Sequence, residues 1–112
     1  MRIEKKCPLY SEESNNRTKK VFIYVEDLYG DGELYFNIDY DTVYSNQEKQ
    51  HGNAFVELEE VLKAYQFNSF QDLADNLLTR YKGDDKAWKK IVEEMKAKGL
   101  DVIDDENESD AW

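Results

Sequence analysis

The stretch VFIYVEDLYGDGELYFNIDYD, Val21–Asp41, decides the fold. Val21, Ile23 and Val25 alternate with Phe22, Tyr24 and Glu26, and Leu34, Phe36, Ile38 and Tyr40 alternate with Glu33, Tyr35, Asn37 and Asp39. A period of two is what a half-buried strand requires, because successive side chains point to opposite faces of a sheet. Between the runs, DLYGDG supplies two glycines and an aspartate suited to positive φ, so segments 20–26 and 33–41 are expected to pair as an antiparallel hairpin. From Val25 to Asp41 the same stretch carries six acidic residues and no basic one. Metal binding, catalysis, solubility and a partner's positive surface are the four uses those carboxylates could have.

On the N-terminal side, Ile3–Cys7 is expected to add a short third strand, joined to the hairpin by Pro8 and the polar run SEESNNRTKK. On the C-terminal side, Thr42 and Val43 extend the hairpin and SNQEKQHGN reads as a loop. Phe55, Leu58, Leu62 and Tyr65 then fall at helical spacing with Asn53 as N-cap, the alternative being a short strand over Ala54–Leu58 that leads into the helix. A second helix follows from Ser69 and Asp72, spaced as a capping box, and from the stripe Phe70, Leu73, Leu77, Leu78 and Tyr81. Gly83 stops it. Asp84 or Asp85 can cap a third helix with Trp88, Ile91, Val92 and Met95 on one face, ended by Gly99 in the left-handed region with Leu100 as its hydrophobic contact. DVIDDENESDAW, residues 101–112, has no periodicity and six acidic residues, and reads as a mobile acidic tail. The expected architecture is one α+β domain over residues 1–100, a small antiparallel sheet covered on one face by two or three C-terminal helices.

The chain has 112 residues, 40% hydrophobic and 13% aromatic, enough for one domain with a modest core. A single cysteine, Cys7, closes no intrachain disulfide and suits a reducing cytoplasm. No apolar run reaches the roughly 18 residues of a membrane span, and MRIEKKCPLY has no apolar h-region behind its basic start. The net charge of −10 argues against direct binding to DNA, RNA or an anionic membrane. It is unevenly spread: +3 over residues 1–20, −9 over 21–60, +2 over 61–100 and −6 over 101–112.

Enzymatic chemistry finds little support. An EF-hand loop starting at Asp27 would place Tyr29 and Ile38 where a carboxylate and the closing glutamate belong. One His and one Cys, His51 and Cys7, cannot build a zinc site, and a Cys7 nucleophile with His51 as base would need the two to meet across the fold. No glycine-rich phosphate loop occurs. Asp39 and Asp41 share a strand face about 6–7 Å apart, a separation used by glycosidases, yet a domain this small leaves little room for a sugar cleft. No catalytic residue, metal or cofactor is therefore expected.

The carboxylates fit a partner better. Acidic groups repeated along a twisted strand resemble the charge row of a nucleic-acid backbone and can occupy a basic groove. Glu26, Asp27, Tyr29, Asp31, Glu33, Tyr35, Asp39 and Asp41 are the candidate partner-binding residues, the tyrosines giving contact area at low entropic cost. The expected partner is a basic protein, a nuclease or other nucleic-acid-binding protein, which this chain would block. In size, charge and absence of catalytic parts, though in no motif, the chain is like the antirestriction and anti-CRISPR proteins of phages or the immunity proteins paired with nuclease toxins. Two plainer readings stand beside it. The acidic face can be merely solvated, or the helical half can be an interaction surface anchored on Phe67, Tyr81 and Trp88. Tyrosine-rich strand edges could also pair two copies into a homodimer.

Overall fold

The computed structural model describes residues 2–108, with the side chains of residues 7–104. Four strands, β1 (Arg2–Glu13), β2 (Arg17–Asp27), β3 (Tyr35–Tyr44) and β4 (Lys49–Glu57), precede three helices, α1 (Leu58–Tyr65), α2 (Phe70–Tyr81) and α3 (Ala87–Ala97), and a last strand β5 (Ile103–Glu108). All neighbours are antiparallel in one five-stranded sheet of order β1-β2-β3-β4-β5. The expected α+β class is correct: the helices pack on one face of an antiparallel sheet.

The expected hairpin is β2 and β3, with Val21 opposite Tyr40, Ile23 opposite Ile38 and Val25 opposite Phe36. This register places the apolar half of both runs under the helices. Val21, Ile23, Phe36 and Ile38 are buried with Val61 of α1, Leu73 and Leu77 of α2, and Ile91 and Met95 of α3. Trp88 locks α3 to the sheet: its Nε1 donates to the Ile38 carbonyl at 2.9 Å, and Tyr40 meets its ring edge-on at 5.1 Å.

Three elements differ from the expectation. β1 runs on to Glu13, past Pro8, by shifting register between Ile3 and Lys5 and again between Pro8 and Tyr10. A proline is tolerated there because β1 is an edge strand, which pairs on one side only, and the residue left out of register is the next one, Leu9. Residues 49–53 are strand rather than loop, and α1 starts at Leu58, so Asn53 lies inside β4 and caps no helix. β4 escapes a period-two reading because its core side is small, Gly52, Ala54 and Val56. Gly52 is required: a Cβ there would lie 2.1 Å from Cε1 of Tyr40, whose ring covers the glycine. Finally, Ile103–Glu108 corrects the expected acidic tail, since it pairs with β4 from Ile103 opposite Phe55 to Glu108 opposite Gln50. Residues 109–112 lie outside the described part. An edge strand needs only backbone partners on one side, and charge on it discourages further pairing.

The helix ends follow local chemistry. Ser69 Oγ accepts from the Asp72 N–H at 3.2 Å, as the capping pattern implied. The cap position of α3 is Lys86 and neither expected aspartate, but Asp84, one of the two, accepts from the Lys86 N–H through its Oδ1 at 2.9 Å. At the far end Gly99 has φ 85°, with Gly99 N–H bonded to the Lys96 carbonyl and Leu100 N–H to that of Met95. Glu94 ties all three helices together: it accepts from Tyr65 of α1, from Arg80 of α2 at 2.5 Å and from Tyr81 at 2.8 Å. Among the described residues no helix is long and apolar enough to cross a membrane.

Candidate functional site

The helix-free face of the sheet carries the other half of each alternating run, and the eight candidate residues divide on it into three groups. Two are covered. Glu26 and Asp39 are 7% and 8% exposed, and Asp39 accepts hydrogen bonds from Tyr24 Oη at 3.1 Å and from Asn53 Nδ2 at 2.5 Å. Burial raises the Asp39 pKa above the ordinary carboxylate value, and the bonds from Asn53 and Tyr24 oppose that rise. Burial and then the Asp39 charge push the Tyr24 phenol upward in turn. Asn37, 1% exposed, completes the network by accepting from Asn53. This centre is a closed polar layer and not a row of open charges.

Two others do local work. Asp27 accepts from the Gly30 and Gly32 N–H groups at 2.8 and 3.0 Å, which shapes the loop around two glycines at φ 72° and 88°. Asp41 pairs with His51 Nδ1 at 2.6 Å, both side chains half-exposed, towards the other end of β3. Cys7 is buried in the core on the helix side, whereas His51 stands on the helix-free face beside Asp41, so the two do not form a dyad. Among the described residues no group of three or more His, Cys, Asp or Glu is arranged to hold a metal ion.

The remaining four, Tyr29, Asp31, Glu33 and Tyr35, come together at the β2–β3 loop, where sequence reasoning missed their partners. Tyr29 is 69% exposed and meets Tyr35 edge-on at 5.8 Å; Tyr35 meets Phe55 of β4 the same way at 5.9 Å. Ile103 of β5, opposite Phe55, is 54% exposed and continues this apolar strip across the sheet. Register brings Glu57 opposite Tyr35, and the Leu58 N–H bonds to the Leu34 carbonyl at 3.1 Å, so the start of α1 sits against the start of β3. Glu57, Glu59 and Glu60 thereby join Asp31 and Glu33. Glu57, then burial, then Asp31 raise the Glu33 pKa, the mark of carboxylates crowded without compensation. Among the described residues, ion pairs form at Glu12, Asp41, Asp84, Asp85, Glu94 and Asp104, and none forms at these five acids. The run ELEE at 57–60 was visible in the sequence. Its proximity to Glu33 was not, because it depends on β4 being a strand.

The anchors of the helical alternative are covered: Trp88 is 5% exposed, and Phe67 and Tyr81 are half-buried against the core. No protein-family model matches the chain, and no curated protein or solved structure matches it either.

Proposed function

We propose that the chain is a non-enzymatic binding protein that blocks the basic surface of a nucleic-acid-processing protein, using the β2–β3 loop end of the sheet. The supporting observation is the strip Tyr29–Tyr35–Phe55 bordered by Asp31, Glu33, Glu57, Glu59 and Glu60. Crowded carboxylates beside exposed aromatic rings attract arginine and lysine both by charge and through the ring faces. Aromatic residues at the centre with charge at the rim is also the usual anatomy of a protein interface. Asp39 and Glu26 take part only as supports of the sheet beneath.

Capture of partners from a host lysate at low ionic strength, compared between the native chain and a Glu33→Lys/Glu57→Lys variant, tests this reading. A basic nuclease or nucleic-acid-binding protein retained by the native chain, released by salt or by competing DNA or RNA, and lost with the variant is the expected result. Retention that ignores both salt and the charge reversal would overturn it.

A further inference from the structure

β5 begins opposite Phe55, so the last two residues of β4, Val56 and Glu57, run on past it with no strand on their outer side among the described residues. The notch left there is a cavity of about 330 Å³, lined by Tyr29, Tyr35 and Phe55 from the sheet and its loop and by Leu100 and Asp101 from the segment after α3. Its volume is at the small end of ligand pockets, about 300–1,000 Å³, which suits one long side chain.

Three observations define the chemistry of the occupant. The walls are aromatic and angled: Tyr29 and Tyr35 meet at 86° and Tyr35 and Phe55 at 83°, so the rings form a corner rather than a flat platform. The charge in the lining has one sign. Glu57, Glu60 and Asp101 contribute carboxylates, no lysine or arginine lines the cavity, and none of the three forms an ion pair among the described residues. The end of α3 adds the negative pole of its dipole on the same side as Asp101. Beneath these groups the lining is apolar, since Val56 is buried and Leu100 is half-buried against the core.

An apolar stem carrying a cationic head is what such a lining accepts. A guanidinium fits better than an ammonium, because it is planar, stacks on rings, is weakly hydrated and offers N–H donors to carboxylates on more than one side. A trimethylammonium head would meet the rings equally well, but it has no N–H to give to Glu57, Glu60 or Asp101. We infer that this notch is a socket for a single arginine side chain of a protein partner. The inference rests on reading the strip as a partner-binding surface, and it adds which side chain is seated and where.

The test is an NMR titration of the full chain with three blocked tripeptides of equal charge, glycyl-X-glycine with X arginine, lysine or trimethyllysine. The arginine peptide is expected to saturate at about millimolar concentration, with amide shifts concentrated at Tyr29, Tyr35, Glu57 and Asp101, and the other two to bind at least about five-fold more weakly. Glu57→Gln/Glu60→Gln should weaken the arginine peptide about ten-fold or more. Tyr29→Ala, which keeps every charge and removes a largely exposed ring, should weaken it about three-fold or more. Shifts that do not saturate, equal binding of the lysine peptide, or an affinity unchanged in both variants would overturn the socket. Lysate capture separates it from the wider reading. A basic nucleic-acid-binding partner retained while the arginine peptide fails to bind overturns the socket alone, whereas peptide binding with no such partner retained upholds the socket and overturns the blocking role.

Discussion

Gly52 and Asp39 show how single positions constrain this sheet. Alanine at 52 would drive its Cβ into the Tyr40 ring, and that ring is itself held edge-on by Trp88. Gly52→Ala is expected to destabilise the fold by about 1–3 kcal/mol, read as a lower urea midpoint at unchanged slope. Asp39 carries a raised pKa because it is buried, so its contribution is fully present below the unfolded carboxylate pKa and lost as pH rises through the folded value. Relative to Asp39→Asn, the native chain should therefore be more stable near pH 4 than near pH 7. A pH series of unfolding curves for the two proteins that runs in parallel would contradict this. Asp39→Ala strips the acceptor from both Tyr24 and Asn53 and should cost about 1–3 kcal/mol near pH 4 and less near pH 7.

Elements whose signals are local were legible; those defined by a neighbour were not. The hairpin was readable because both strands carry large alternating residues, and α2 and α3 because Ser69 and Gly99 punctuate apolar stripes. β4 offers only Gly52, Ala54 and Val56 to the core, which is what Tyr40 and the helices require but looks like a loop in isolation. β5 was invisible for a stronger reason: its acidic residues hold no apolar period, and its strand character comes from the backbone of β4. The candidate site suffered accordingly, since the clustering of Glu33 with Glu57 needs β4 in register. Among the helices, Glu94 is the shared element. Burial raises its pKa, but the bonds from Arg80, Tyr65 and Tyr81 prevail and hold it at about 2. A depressed carboxylate stabilises above its unfolded pKa, so this contribution is present above about pH 4.5 and declines towards pH 2. Allowing for partial solvent screening, Glu94→Gln should lose about 1–2 kcal/mol at pH 7 and much less near pH 2, as thermal unfolding at the two values would record.

At the scale of the whole molecule, charge is polarised along the strands, with bare carboxylates at the β2–β3 loop and lysines at the other end. Self-repulsion at −10 should be partly screened by salt, so the unfolding temperature is expected to rise between low ionic strength and about 0.15 M, over which the Debye length shortens to about 8 Å. A temperature that falls over that interval would show the surface ion pairs outweighing the repulsion. The crowding at Glu33 adds a coupled effect. A cationic partner would favour its ionised form, so docking within the glutamate titration range should release protons, measurable as a buffer-dependent binding enthalpy. An enthalpy identical in buffers of different ionisation heat would place Glu33 outside the contact.

The strand order is strictly sequential, yet β5 reaches β4 only after all three helices have been laid down. The first four strands can zip as a meander of short-range pairs, while the last seam must close a long intervening loop for the sake of one edge. Such a seam is late to form and early to open. Amide hydrogens on β5 should exchange with solvent well before those of β2 and β3. The sheet would then alternate between five strands and four on a timescale far shorter than that of global unfolding, with the outer edge of β4 exposed each time.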